Sequence, residues 1–116
     1  MVPKRNPEVV WRLEKGIHEM AWDKARKDED YEDLGVLTLM VKGSIHQLNL
    51  VGAEIWTRIN SINSVEKISS EIGALFGWEA GETREAVLEF LNGIAERGWV
   101  ELSEKAAPAS PKWKGH

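Results

Sequence analysis

The sequence predicts an α+β fold, in which a small antiparallel β-sheet of about three strands precedes three helices that pack on one another. Three observations lead to this prediction. Runs rich in Val, Leu and Ile with strand-like patterning occupy the first half of the chain. Apolar residues at helical spacing occupy the second half. The connections between these helical runs are short, so consecutive helices are expected to be neighbours.

Size and composition limit the kind of protein. The chain has 116 residues, of which 42% are apolar and 29% charged, as expected for one soluble globular domain. No window approaches the roughly 20 apolar residues that cross a bilayer, and the polar start MVPKRNPEVV does not resemble a secretory signal, so we expect a cytoplasmic protein. The absence of cysteine excludes disulfides, thiolate nucleophiles and thiolate metal sites.

The first 33 residues contain one predicted strand. Residues 1–7 hold two prolines and are expected to be a flexible lead-in. Residues 8–14, EVVWRLE, are rich in β-formers and predict a strand. For residues 17–22, IHEMAW, a further short strand is one option, and the pattern does not decide it. Residues 23–33, DKARKDEDYED, are almost entirely polar and predict an exposed loop or an extended hairpin tip.

A hairpin follows the polar segment. Residues 34–43, LGVLTLMVKG, carry no charge before Lys42 and form the strongest strand pattern in the chain. Lys42, Gly43 and Ser44 provide a turn, and SIHQLN continues as the partner strand.

Three helices complete the prediction. Asn49 is expected to cap a short first helix by accepting a hydrogen bond from a first-turn amide. Asn63 and Glu66 have the spacing of a capping box at the start of a second helix that ends at Gly77. The third helix is predicted over about residues 83–97 and is stopped by Gly98.

The end of the chain is predicted in two parts. WVEL, residues 99–102, is expected to form a short strand or an extended end, and residues 103–116 are expected to be disordered. The folded domain is thus expected to cover residues 8–102. A small sheet beside three helices is typical of winged helix-turn-helix modules.

Three stretches between residues 48 and 102 carry a family resemblance: LNLVGAEIW, SVEKISSEI and VLEFLNGIAERGWVEL. Their order and spacing resemble the PqqD family of peptide chaperones and the related recognition elements of enzymes that modify ribosomally made peptides. The resemblance covers about residues 34–102. The matching positions are Leu48, Asn49, Gly52, Ala53, Glu54, Ile55, Val65, Ile68, Phe90, Leu91, Ile94, Gly98 and Trp99.

The resemblance implies peptide binding rather than catalysis. In that family the leader of a precursor peptide adds as a strand to a sheet edge beside the third helix, while a radical S-adenosylmethionine enzyme modifies the peptide core. Carried onto this chain, the edge is Ser44, Ile45, His46, Gln47 and Leu48. The groove wall is Val87, Phe90, Leu91 and Ile94. The alternative for these helix residues is that they fill the core.

The resemblance also implies which partners to expect. These are a leader peptide and a radical S-adenosylmethionine enzyme, as in pyrroloquinoline quinone biosynthesis or a related pathway, with no cofactor of the protein's own and no membrane partner. The three histidines, His18, His46 and His116, are too widely spaced for a metal motif, and no catalytic motif is visible. The sequence leaves open whether the protein forms a homodimer through the same edge.

The alternative function is that of a winged-helix transcription regulator, whose third helix would enter the major groove. The net charge of −4 argues against nucleic-acid binding. The predicted third helix also carries more glutamates than arginines, which would repel phosphate. A structural subunit of an unrelated complex is a further option.

Overall fold

The computed structural model describes residues 1–104 and confirms the α+β class. Within these residues the chain forms five strands and four helices. In chain order the elements are β1 (Val2–Arg5), β2 (Val10–Leu13), α1 (Lys15–Arg26), β3 (Leu37–Val41), β4 (Ser44–Leu48), α2 (Leu50–Thr57), α3 (Val65–Phe76), α4 (Ala80–Glu96) and β5 (Val100–Ser103). None of the helices in this part of the chain is long and apolar enough to cross a membrane.

The chain divides into two compact units. The single domain expected over residues 8–102 stays a prediction. The sheet unit comprises residues 7–56. Among the described residues, the helical unit comprises residues 1–6 and 57–104.

The sheet unit contains the predicted three-stranded antiparallel sheet, in the order β2-β3-β4. Its register places Trp11 opposite Leu39, and Leu39 opposite His46. Because successive side chains alternate between the two faces of a strand, these residues share one face. We call this face the inner face, since Leu37 and Leu39 on it have no exposed surface and Leu48 is 9% exposed.

Helix α1 was not predicted. A further short strand was one option for residues 17–22, and residues 23–33 were expected to form an exposed loop or an extended hairpin tip. Ile17, Ala21 and Ala25 recur at intervals of four, which places them on one face of a helix. Ala21 is fully buried, and Asp23 forms an i,i+4 ion pair with Lys27 at 3.0 Å. The chain leaves the helix at Lys27, so the charged segment is part helix and part connection.

Residues Asn49 to Trp56 complete the sheet unit. Asn49 Oδ1 accepts a hydrogen bond from the Gly52 backbone N–H at 3.0 Å, which confirms the predicted cap of α2. Trp56, near the end of α2, is fully buried and meets the ring of Trp11 edge to face, with 6.4 Å between ring centroids.

In the helical unit, the start of α3 differs by one residue from the prediction. Ser64 is the N-cap, since its hydroxyl accepts from the Lys67 N–H at 3.1 Å, whereas the Asn63 amide donates to the Arg58 carbonyl. The predicted capping box at Asn63 is therefore wrong. Gly77 ends the helix as predicted, with a positive φ of 70° that suits glycine.

Helix α4 begins earlier than predicted because Glu79 caps it. The Glu79 carboxylate accepts hydrogen bonds from the N–H groups of Gly81 and Glu82 at 2.6 and 3.1 Å. A carboxylate at this end is also favoured by the positive end of the helix dipole.

A second, two-stranded sheet pairs β1 with β5. Residues 1–7 were expected to be flexible, but Val2 to Arg5 lie antiparallel to Val100 to Ser103. Val2 is 7% exposed, and the Met1 carbonyl accepts from the Val65 N–H at 2.8 Å, so burial and hydrogen bonding both hold this segment. WVEL therefore contributes to a strand. The disorder predicted for residues 103–116 falls, from residue 105 onward, outside the described residues.

Candidate functional site

The predicted peptide-binding edge, β4, is an edge strand of its sheet. It pairs with β3 on one side, from Val41 opposite Ser44 to Leu37 opposite Leu48. Within residues 1–104, no strand pairs with its other side. The strand therefore has the position in the sheet that strand addition requires.

The turn before β4 sets which backbone groups point toward the open side. Its two central residues, Lys42 and Gly43, both have positive φ, 50° and 82°, as in a type I′ hairpin turn. In such a two-residue hairpin the flanking residues, Val41 and Ser44, form a hydrogen-bonded pair, and the pairs then alternate along the ladder. The N–H and C=O groups of Ile45 and Gln47 therefore point away from β3, toward the open side.

The side chains of β4 divide between the two faces of the sheet. Ile45, which is 65% exposed, and Gln47, which is also exposed, lie on the face opposite the inner one, here called the outer face. His46 is half-buried and Leu48 is buried on the inner face, whereas Ser44 beside the turn is exposed. The edge thus presents one large apolar side chain to solvent.

The four α4 residues predicted to form a groove wall do not share one environment. Val87 and Leu91 have no exposed surface, and Ile94 is 5% exposed. Val87 and Leu91 fill the core, which is the alternative that the sequence left open, and a fully buried side chain cannot contact a peptide in this conformation. Ile94 is mostly buried as well but keeps a small exposed surface. Phe90 is half-buried, so it is the member of the four that offers most surface.

Phe90 lies in a shallow depression of about 420 Å³ on the helical unit. Its other lining residues are Ala86, Glu89, Gly93, Ile94 and Arg97. The guanidinium of Arg97 lies 5.2 Å from the ring centroid of Trp99, a cation–π distance. A second depression, of about 430 Å³, lies between α3 and α4 beside Trp78, and the Arg84–Glu66 ion pair forms part of its lining.

The exposed surface of α4 is acidic. Glu82, Glu85, Glu89 and Glu96 are all exposed and lie within about 60° of one another around the helix, given its 100° per residue. The two arginines, Arg84 and Arg97, lie at other angles. A helix with this surface would repel a phosphate backbone, which disfavours the transcription-regulator alternative.

One polar cluster in the sheet unit was not predicted. Glu54 Oε2 on α2 lies 2.8 Å from His18 Nε2 and accepts from Trp22 Nε1–H at 2.9 Å. Glu54 is only 9% exposed, so both donors satisfy a carboxylate that burial would otherwise destabilise. The i,i+4 spacing of His18 and Trp22 was the available signal, and it was missed because their segment was not recognised as a helix.

The potential metal ligands among the described residues are dispersed. In residues 1–104, no three His, Asp or Glu side chains come close enough together to hold an ion. His18 pairs with Glu54, and His46 lies on β4. His116 lies outside the described residues.

Comparison with known proteins identifies the family. A family model described as "Coenzyme PQQ synthesis protein D (PqqD)" matches residues 30–100. This range includes β3, β4, α2, α3 and α4, and it leaves β1, β2 and α1 outside. No curated protein and no solved structure matches the chain significantly. Since the family match spans well over half of the sequence and includes the whole β3–β4 hairpin with its open edge, the chain belongs to the PqqD family.

Proposed function

We propose that the protein is a non-catalytic chaperone that binds the leader of a ribosomally made precursor peptide by strand addition to β4. It then presents the peptide to a modifying enzyme of the radical S-adenosylmethionine type, in pyrroloquinoline quinone biosynthesis or a related pathway. Membership of the PqqD family supports a peptide-binding chaperone. The observation that carries the binding mode is the open side of β4 within the matched region.

The composition of β4 suits an edge that another chain pairs with. Proteins commonly protect exposed edges from pairing with Lys, Pro, bulges or inward charges. The strand SIHQL contains no lysine, arginine, carboxylate or proline. Nothing in the strand itself therefore opposes the approach of a guest backbone.

Backbone pairing alone would give weak binding. The outward groups of Ile45 and Gln47 offer about four main-chain hydrogen bonds, each contributing about 1 kcal/mol net. A total of about 4 kcal/mol corresponds to a Kd of about 1 mM before the cost of ordering the peptide. Side-chain contacts must therefore supply most of the affinity and the selectivity.

The test is a titration of ¹⁵N-labelled protein with candidate leader peptides, taken from short reading frames beside the gene. We expect amide shifts to cluster on Ser44 to Leu48, and shifts at Phe90 test the α4 part of the prediction separately. Shifts that cluster elsewhere would overturn the β4 assignment.

Two variants at one position separate backbone pairing from side-chain contact. Ile45→Pro removes an N–H that points away from β3, so the β3–β4 ladder should persist while peptide capture is lost. Ile45→Thr, the matched control, keeps the N–H and should retain most of the backbone pairing. Normal capture by Ile45→Pro, with the fold intact by circular dichroism, would contradict strand addition.

A further inference from the structure

The outer face of the sheet carries an apolar row that crosses all three strands. Val10 lies opposite Met40, and Met40 lies opposite Ile45, so the three side chains stand in register. They are 66%, 48% and 65% exposed. Single exposed apolar residues are ordinary, but three in register form a continuous patch. We call these three residues the apolar row.

The next row of the same face is polar. Arg12 lies opposite Thr38, and Thr38 lies opposite Gln47. The Thr38 hydroxyl donates to Glu14 Oε2 at 2.8 Å, and Arg12 pairs with the same carboxylate at 3.0 Å. The outer face therefore has two distinct rows, and both end at the open side of β4, the apolar row at Ile45 and the polar row at Gln47.

We infer that the guest strand extends both rows, so that it places an apolar side chain beside Ile45 and a polar one beside Gln47. This inference rests on the proposed function, since it concerns the peptide that pairs with β4. It defines the class of peptide: an extended segment in which an apolar and a polar residue stand two positions apart. A β-branched or aromatic residue fits the apolar position best.

The spacing follows from strand geometry. Ile45 and Gln47 are two residues apart and therefore share the outer face, and any strand paired with them presents its own side chains on that face at the same interval. Residues directly opposite in neighbouring strands have Cβ atoms about 5 Å apart, which is close enough for direct contact. An apolar guest residue beside Ile45 would cover surface that is now exposed to water, whereas a charged one would lose hydration there without gaining a partner on the row.

The experiment uses two synthetic peptides with blocked ends, Lys-Thr-Thr-Val-Thr-Thr-Lys and its all-threonine counterpart Lys-Thr-Thr-Thr-Thr-Thr-Lys. Valine and threonine have nearly the same shape and both favour strands, so the pair isolates apolar contact. We expect the valine peptide to bind up to about fivefold more tightly, the upper end of the range for a favourable cross-strand pair. Nuclear Overhauser contacts should join its methyl groups to those of Ile45.

Two protein variants complete a double-mutant cycle between the peptide and the protein. Ile45→Thr should abolish the advantage of the valine peptide, because the contact is removed from the other side. Val10→Thr is the matched control: it removes a similarly exposed apolar side chain on the same face, but two strand spacings, about 10 Å, from the edge. This control should leave the advantage intact.

The outcomes distinguish this inference from the proposed function. Amide shifts at Ile45 and Gln47 without any advantage for valine, or an advantage that survives Ile45→Thr, would overturn the inference and leave strand addition standing. Absence of shifts along β4 with the valine peptide at millimolar concentration would overturn the inference, whereas strand addition itself is tested by the titration with leader peptides, whose side chains must supply most of the affinity. A dimer paired through β4 in the absence of peptide would also overturn the inference, because the edge would then be occupied by a second copy.

Discussion

The imidazole of His18 and the carboxylate of Glu54 meet at 2.8 Å, between Nε2 and Oε2. His18 lies on α1, outside the residues that match the PqqD family, and Glu54 lies on α2, inside them. The same carboxylate oxygen accepts from the Trp22 indole N–H at 2.9 Å. The buried Glu54 side chain thus links α1 to the rest of the sheet unit. Helix α1 itself lies outside the residues that match the family model.

Replacement of Glu54 should destabilise the sheet unit. Glu54→Leu removes the acceptor shared by His18 and Trp22, and we expect a loss of about 2–4 kcal/mol in the free energy of unfolding. Glu54→Gln keeps one acceptor oxygen and should lose about 1 kcal/mol. Urea unfolding followed by circular dichroism measures both values, and the indole proton resonance of Trp22 should move upfield in the leucine variant.

Glu19→Leu is the control for this comparison, since Glu19 is exposed on the same helix α1. A surface change of this kind should alter stability by less than about 0.5 kcal/mol. If Glu54→Leu were as mild as Glu19→Leu, the hydrogen bonds from His18 and Trp22 would not hold α1 in place.

The parts of the fold that the sequence predicted correctly depend on local signals. The β3–β4 hairpin follows from two apolar runs around Lys42 and Gly43, and the entry into α2 follows from Asn49. In each case residues within a few positions of one another determine the conformation. The resemblance to the PqqD family, which the family match confirms, depended on the same region.

The elements that the sequence did not predict depend on residues far apart in the chain, or on a spacing of apolar residues that was interpreted incorrectly. Strand β1 is held by β5, nearly 100 positions away, and nothing within residues 1–7 signals that partner. Helix α1 was obscured by Gly16 and by six residues whose pattern is too short to distinguish a period of two from a period of four.

The candidate site, too, has features that could be predicted from the sequence and features that could not. That β4 lies at an edge was expected from the resemblance to the PqqD family, because the hairpin alone does not show which of its two strands pairs with β2. Which side of α4 is buried could not be predicted from the sequence. The stripe of Val87, Leu91 and Ile94 is equally consistent with a core face and with a groove wall. The sequence also gave no sign of the apolar row, which exists only once β2 is in register with β3.

The hydrogen bond between Thr38 and Glu14 should make stability depend on pH. The Thr38 hydroxyl, and then Arg12, hold the pKa of the Glu14 carboxyl below its usual value. A carboxyl whose pKa is lower in the folded state stabilises the fold above the pKa of the unfolded chain, and this contribution is lost as the pH falls through the folded-state pKa. We therefore expect Thr38→Val to destabilise the protein at pH 7, with a smaller difference from the wild type at pH 3.

Urea unfolding of the two proteins at both pH values measures this difference. The control is the same substitution in a Glu14→Gln background, where no carboxyl titrates and the effect of Thr38→Val should no longer change with pH. An equally large pH dependence in that background would show that another group is responsible.

Ser64 rather than Asn63 should control the start of α3. The Ser64 hydroxyl accepts from the Lys67 N–H, so Ser64→Ala leaves that amide without its capping acceptor and should cost about 1 kcal/mol. Asn63→Ala removes a different bond, from its side-chain amide to the Arg58 carbonyl, and should leave the Lys67 amide protected. Hydrogen exchange at Lys67 distinguishes the two variants, because it should accelerate in Ser64→Ala and not in Asn63→Ala.

Ser70→Ala is the control, at an exposed position within the same helix. It should change stability by a few tenths of a kcal/mol at most, since alanine favours helix interiors. Faster exchange at Lys67 in Asn63→Ala alone would instead restore the capping box that the sequence suggested.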